Sequence, residues 1–371
     1  MASAQQTMEE LLELADVVIN GDNPWDIQVH DSNLYKRVLA GGSLALGESY
    51  MDGWWDCKAL DQLAYRVLKA ELDKEVKGSF KMIKNVLKAK IFNLQRKSKA
   101  YVIGERHYDK GNDLFMNMLD KRMNYSCGYW KNANNLDEAQ EAKLDLICRK
   151  IMLEPGMTVL DIGCGWGGFA RFATEKYKVK VVGITVSKEQ VELAKEICKG
   201  LDIDIRLQDY RDLKEQFDRV VSVGMIEHVG YKNYRKYMKI VNNCLKEDGI
   251  FLLHTIAGNN SVKTGDPWID KYIFPGGMLP SAKQLSSATE GIFQIEDWHS
   301  FGTDYDKTLM IWHKNFNKNW DKIKKNYDER FFRMWNYFLL TCAGSFRANK
   351  NQLWQIVYTK KGTPGGYESV R

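Results

Sequence analysis

The run Val159-Leu160-Asp161-Ile162-Gly163-Cys164-Gly165-Trp166-Gly167-Gly168 constrains this chain more than any other feature. An apolar stretch that ends in Asp and breaks into alternating glycines reads as a buried strand turning at once into a helix. Glycines let the backbone approach a ligand closely, and the first turn of the following helix offers free N–H groups. The run is not G-x-x-x-x-G-K-[ST], which excludes a phosphate-cradling P-loop. It differs from the dinucleotide fingerprint by opening with Asp161 at the strand end.

Around this turn the pattern alternates. Apolar runs predict strands at Thr158–Ile162, Lys180–Thr185, Ile203–Leu207, Phe217–Val223 and Ile250–His254. A helix carrying Val191, Leu193, Ala194 and Ile197 follows the second, and another over Tyr234–Leu245 precedes the fifth. Near-continuous apolar strands separated by helices indicate a parallel sheet covered on both faces. Further on come Phe293–Trp298, long helices at about 306–323 and 328–346, and Leu353–Tyr358. Upstream, residues 1 to about 70 carry short helical patterns, interrupted by a turn-rich aromatic stretch from Gly41 to Trp55. Residues 70–100 are rich in Lys and Arg and read as a solvated helix and linker, or as a basic face for lipid head groups.

With 371 residues the chain is long enough for two domains. A hydrophobic content of 44% fits a packed protein, and a net charge of +6 is too mild for a nucleic-acid-binding domain. That charge fits either an anionic membrane surface or ordinary solubility. The cysteines number seven, without a C-x-x-C pair, which argues against a disulfide framework or a structural metal and for a reducing cytosol. Met1 to Glu13 is too polar for a secretory signal. No apolar run of about 18 residues is present to span a bilayer.

The glycine turn resembles motif I of the class I S-adenosylmethionine-dependent methyltransferases, over about residues 101–371. That resemblance implies a Rossmann-like α/β fold with a seven-stranded, mostly parallel sheet. It places Asp161, Gly163, Cys164, Gly165 and Gly167 at the methionine part of the cofactor, and Gln208, Asp209, Tyr210 and Arg211 at adenine. An acid after the second strand usually holds the ribose in this class. Here the strand ends Thr185-Val186-Ser187 with no carboxylate, so Thr185, Ser187 and Gln190 must serve instead. Asp209 also reads as a plain turn residue.

The carboxyl ends of the fourth and fifth strands face the cleft in such a fold. They carry Glu227 and His254, an acid and an imidazole suited to proton transfer. Their alternatives are a helix cap and a core histidine. His228 reads as structural.

Several further segments extend the resemblance: His107-Tyr108-Asp109-Lys110-Gly111-Asn112-Asp113, Tyr125-Ser126-Cys127-Gly128-Tyr129-Trp130, Gly224 to Gly230, Asp266 to Pro275 and Glu296 to Tyr305. Together with Gly42 to Tyr50 they are similar to the bacterial cyclopropane-fatty-acyl-phospholipid synthase family, essentially end to end. The resemblance implies methylene transfer from S-adenosylmethionine to the cis double bond of an unsaturated phospholipid acyl chain. An isolated alkene is a poor nucleophile, and its attack on a sulfonium methyl leaves a carbocation that needs aromatic faces and a dry pocket. Ring closure then needs a base. The family holds a bicarbonate ion for this, and the matching positions are Cys127, Glu227, His254, the backbone of Ile256, and Tyr305. Tyr125, Ser126, Gly163, Cys164, Gly165, Thr185, Gln190, Tyr210 and Arg211 match its cofactor contacts. Cys342 matches a further motif and reads as packing, because the chemistry has no use for a covalent cysteine.

The implied organisation is a small, mainly helical lipid-engaging domain over 1–75, a basic linker over 76–100 and a catalytic domain over 101–371. The implied setting is a homodimeric cytoplasmic enzyme, peripheral to the membrane, with no nucleic-acid partner. The other readings are a small-molecule methyltransferase and a non-catalytic lipid-binding protein.

Overall fold

A computed structural model describes residues 4–72 and 111–371 of the chain. The contacts divide these into two compact units. One comprises 4–72, 263–275 and 305–351, and the other 111–262, 276–304 and 352–371. Both are discontinuous in sequence, where the sequence reading divides the chain contiguously. The segment from Gly104 to Lys110 and most of the basic stretch lie outside the described residues.

The first unit is mainly helical, with helices Ala4–Glu13, Leu34–Met51, Leu60–Lys69, Pro267–Tyr272 and Glu329–Arg347, and most of Thr303–Ile323. A short antiparallel pair, β1 (Gln28–Val29) with β2 (Trp55–Asp56), completes it. The Gly41–Trp55 stretch is a correction: it is helical as far as Met51, bent at Gly42, where φ is 57°. The glycines drew the turn reading, yet Gly47 serves packing. A Cβ there would sit 2.4 Å from the Trp268 indole. Trp268 packs on Tyr337 at 4.7 Å between ring centroids, and Trp55 on Tyr50 at 5.1 Å. Arg347 ties three segments together by pairing with Asp61 and Asp306.

The second unit is built on a seven-stranded sheet. Its strands are β3 (Thr158–Ile162), β4 (Lys180–Thr185), β5 (Ile203–Leu207), β6 (Phe217–Val223), β7 (Leu245–Gly258), β8 (Gln294–Ser300) and β9 (Asn351–Thr359), in the order β5-β4-β3-β6-β7-β9-β8. The five strands from β3 to β7 pair in parallel, and β8 runs antiparallel to β9. The order reverses at β3, which opens a crevice at the carboxyl ends of the strands there. Successive residues of β3 serve opposite faces. Val159 joins Leu144, Ile147, Phe169 and Leu252, while Leu160 and Ile162 join Tyr237, Val241, Phe251 and Leu285. Burial on both faces explains why the inner strands read as near-continuous apolar runs, while the edge strand β5 alternates. The strand predicted over Ile250–His254 is longer at both ends, and the helix before it stops at Cys244.

Candidate active site

The cleft lies where β3, β4 and β6 end. Its lining includes Tyr125, Ser126, Asp161, Gly163, Cys164, Gly165, Thr185, Gln190, Gln208, Asp209, Tyr210 and Arg211, all named from the sequence. Gly167 and Ser187 are not in that lining; they start helices instead. Gly167 (φ 80°) caps Gly168–Tyr177, and Ser187 caps Lys188–Ile197 by accepting from the Gln190 N–H at 3.3 Å.

Each wall has a physical reason. Gly163 has φ 83°, and its N–H and that of Cys164 both donate to the Ile184 carbonyl, at 2.9 and 3.0 Å. The turn is thereby stapled to the neighbouring strand, in a backbone conformation only glycine adopts without strain. Thr185 donates to Gln190 Oε1 at 2.7 Å and accepts from the Ser187 N–H at 3.2 Å. Gln190 is thus left with its amide donors to offer a ligand, a chemistry opposite to that of a ribose-binding carboxylate. Asp209 accepts from Arg211 Nε at 2.8 Å and from Nη2 at 2.6 Å, and it also caps the short turn Tyr210–Asp212. Asp209 is thus a turn residue that also lines the cleft.

Asp161 is 2% exposed, and its Oδ2 has no hydrogen-bond partner. Burial pushes its carboxyl up to about 7 against the attraction of Lys143. Lys143 lines the cleft too, is 1% exposed, and donates to Ser126 Oγ at 2.9 Å. The sequence reading missed it, although a signal was present. In the helix Leu136–Lys150 the buried stripe Leu136, Ala139, Gln140, Lys143, Leu144, Ile147 admits two polar residues to an apolar face. Both turn to the same loop, since Gln140 donates to the Ser126 carbonyl at 2.7 Å.

Glu227 is buried in the short turn Ile226–His228 that follows β6, and His254 is buried within β7. Glu227 Oε1 accepts from the Ile256 N–H at 2.7 Å, which fixes the carboxylate to β7 two residues beyond His254. Glu227 Oε2 is buried without a partner, and burial pushes the carboxyl up to about 7. Gln355 Nε2 approaches His254 Nδ1 at 3.2 Å. Burial, aided by Lys143 and Lys150, holds His254 well below its usual range and so keeps it neutral. Nδ1 then accepts from the amide, and the proton sits on Nε2, a buried donor with no partner. The Cys127 thiol, fully buried, lies 3.1 Å from the Gly128 carbonyl. Tyr305 belongs to the other compact unit, where its ring packs on Phe346 at 4.6 Å. His228 lines the cleft, and burial lowers it to about 4, so it stays neutral. Burial pushes the Cys342 thiol up to about 12, which leaves it no thiolate character.

The fold and this cleft define an enzyme of the S-adenosylmethionine-dependent methyltransferase class. Residues 95–356 match the family model described as mycolic acid cyclopropane synthetase. The chain is 54% identical over 362 residues to the cyclopropane-fatty-acyl-phospholipid synthase of Escherichia coli K12, covering 98% of this chain and 94% of that one. Among solved structures it resembles the cyclopropane synthase MmaA2 of Mycobacterium tuberculosis, with 30% identity, a TM-score of 0.67, and coverage of 70% of this chain and 98% of that one. It also resembles the mycolic acid cyclopropane synthase CmaA1 complexed with SAH and CTAB, with 32% identity, a TM-score of 0.66 and the same coverage. This chain belongs to the mycolic acid cyclopropane synthetase family.

Proposed function

We propose that this enzyme transfers a methylene group from S-adenosylmethionine to the cis double bond of an unsaturated phospholipid acyl chain, with a bound bicarbonate as the base. The observation that carries the reading is the pair of unpartnered buried atoms beside β7, an acceptor at Glu227 Oε2 and a donor at His254 Nε2.

The cleft fits the donor. Gly165, with φ 55°, leaves nothing within 4 Å of where a Cβ would stand, and Asp161 keeps a free carboxylate oxygen for an ammonium. When bound, S-adenosylmethionine supplies an electrophilic sulfonium methyl. The turn Gly163–Gly165 would back its methionine part, Gln190 its ribose, and Tyr210 with Arg211 its adenine.

The Glu227/His254 pair fits bicarbonate for a chemical reason. That anion carries one O–H donor and several acceptor oxygens, the complement of a free carboxylate oxygen and a free imidazole N–H. It would supply the base for the proton lost on ring closure. His254 holds a proton on Nε2 and donates it as a hydrogen bond. Glu227 as carboxylate accepts on Oε2, while its Oε1 stays anchored on the Ile256 N–H. That N–H is therefore already engaged, and in this reading the Ile256 backbone acts on the anion through Glu227. Cys127 joins the proposed set by resemblance.

The same reading makes the enzyme a peripheral membrane protein of the cytoplasm and a homodimer. No helix among the described residues is long and apolar enough to cross a membrane. The test uses vesicles of monounsaturated phosphatidylethanolamine and phosphatidylglycerol with S-adenosylmethionine, in buffer stripped of carbon dioxide and then resupplied with bicarbonate. Acyl chains should gain one methylene by mass spectrometry, faster when bicarbonate is restored. No gain would end the lipid reading, and a gain indifferent to bicarbonate would end the assignment of the base.

A further inference from the structure

Lys143 is an ammonium buried in the wall of the donor cleft, from a helix that the glycine turn does not involve. A buried cation is costly unless something pairs with it. Its hydrogen bonds go to neutral atoms, Ser126 Oγ at 2.9 Å and Asn124 Oδ1 at 3.5 Å. The nearby carboxylate Asp120 is already engaged by the Arg122 and Asn124 N–H groups, at 2.9 and 2.8 Å, and by Asn124 Nδ2 at 2.9 Å. The other carboxylate that feels its charge is Asp161, which also lines the cleft and keeps Oδ2 unpartnered. The cleft wall therefore presents one ammonium and one free carboxylate oxygen.

An α-amino acid presents the same two charges, reversed. Its ammonium is complementary to Asp161, and its carboxylate would be repelled there and attracted to Lys143. Because Lys143 donates to Ser126 Oγ, the Ser126 hydroxyl hydrogen is left to donate elsewhere, which adds a second donor for a carboxylate. We infer that Lys143, acting with the Ser126 hydroxyl, recognises the α-carboxylate of the donor's amino-acid part, and so makes the cleft selective for a nucleoside that carries an intact zwitterion. This rests on the reading of the cleft as the donor site.

The experiment measures binding by calorimetry with two probes, S-adenosylhomocysteine and its decarboxylated analogue, which keeps the ammonium and lacks only the carboxylate. The unsubstituted protein should prefer S-adenosylhomocysteine by about 10- to 100-fold, the scale of a hydrogen bond to a charged group. In Lys143→Met that preference should collapse to within about 3-fold, through lost affinity for S-adenosylhomocysteine alone. Lys143→Arg, which keeps the charge, should retain most of it. If Lys143→Met weakens both probes in parallel and keeps the preference, Lys143 merely supports the fold and the inference is wrong. Equal affinity of the unsubstituted protein for both probes overturns it without any variant. Binding of neither probe removes the donor reading itself and the inference with it.

Discussion

Glu227 has a carboxylate that is anchored through one oxygen and free through the other. Burial holds it up to about 7. The proposed role needs the charged form, so activity should rise as the proton leaves. On vesicles at fixed bicarbonate, kcat/KM should climb through an ascending limb centred near pH 7, because this quantity reports groups of the free enzyme. A profile that is flat from pH ~5.5 to ~8 would contradict the assignment. Replacing Glu227 by Gln keeps shape and removes charge. Turnover should fall by roughly 10- to 100-fold, the scale of a lost hydrogen bond to the anion that acts as base, while S-adenosylhomocysteine affinity stays within about 2-fold. At this scale the sequence was informative about residue types at strand ends. Glu227, His254 and Asp161 were legible because a polar residue at the end of an apolar run stands out. Lys143 was not, because a lysine in a helix is ordinarily solvated, and only its place in a buried stripe marks it.

Strands and helices were legible to different degrees, for physical reasons. The parallel strands β3 to β6 matched the sequence residue for residue: burial on both faces leaves the inner strands β3, β4 and β6 as apolar runs with sharp ends, and the edge strand β5 alternates apolar with charged residues. The helix reaching Met51 was not legible, since Gly41 and Gly42 give a turn signal where the helix bends, while Gly47 serves close packing against Trp268. The helix Glu329–Arg347 repeats this device. At Gly344 a Cβ would meet the Asp61 carbonyl at 2.4 Å and the Tyr65 N–H nitrogen at 2.8 Å, on the helix Leu60–Lys69. Backbone cannot step aside as a side chain can, so the helices must separate. Gly344→Ala should destabilise the protein by about 1–3 kcal/mol despite alanine's better helix propensity, read as a lower urea midpoint. An unchanged or raised midpoint would mean the two helices pack less closely than described.

Over the whole molecule, the division into units was the least legible feature. Residues 263–275 and 305–351 join the N-terminal segment through contacts such as Arg347 with Asp61 and Glu48 with Lys271, which no local pattern announces. The C-terminus is similarly tied down by long-range charge. Arg371 and the fully buried Lys150 converge on Asp297, whose carboxyl stays below its usual range against the cost of burial. The family resemblance ran end to end because it drew on motifs in every segment, and it needed no knowledge of how those segments partition.

In the proposed reaction a carbon is added to the acyl chain as methylene, with a proton removed from the transferred methyl at the Glu227/His254 site. A donor labelled as S-(trideuteromethyl)adenosylmethionine tests this directly. Acyl chains should keep two deuterons per added carbon, with the third lost to base, in a cyclopropane ring. Acyl chains that keep all three deuterons in a methyl branch would contradict it.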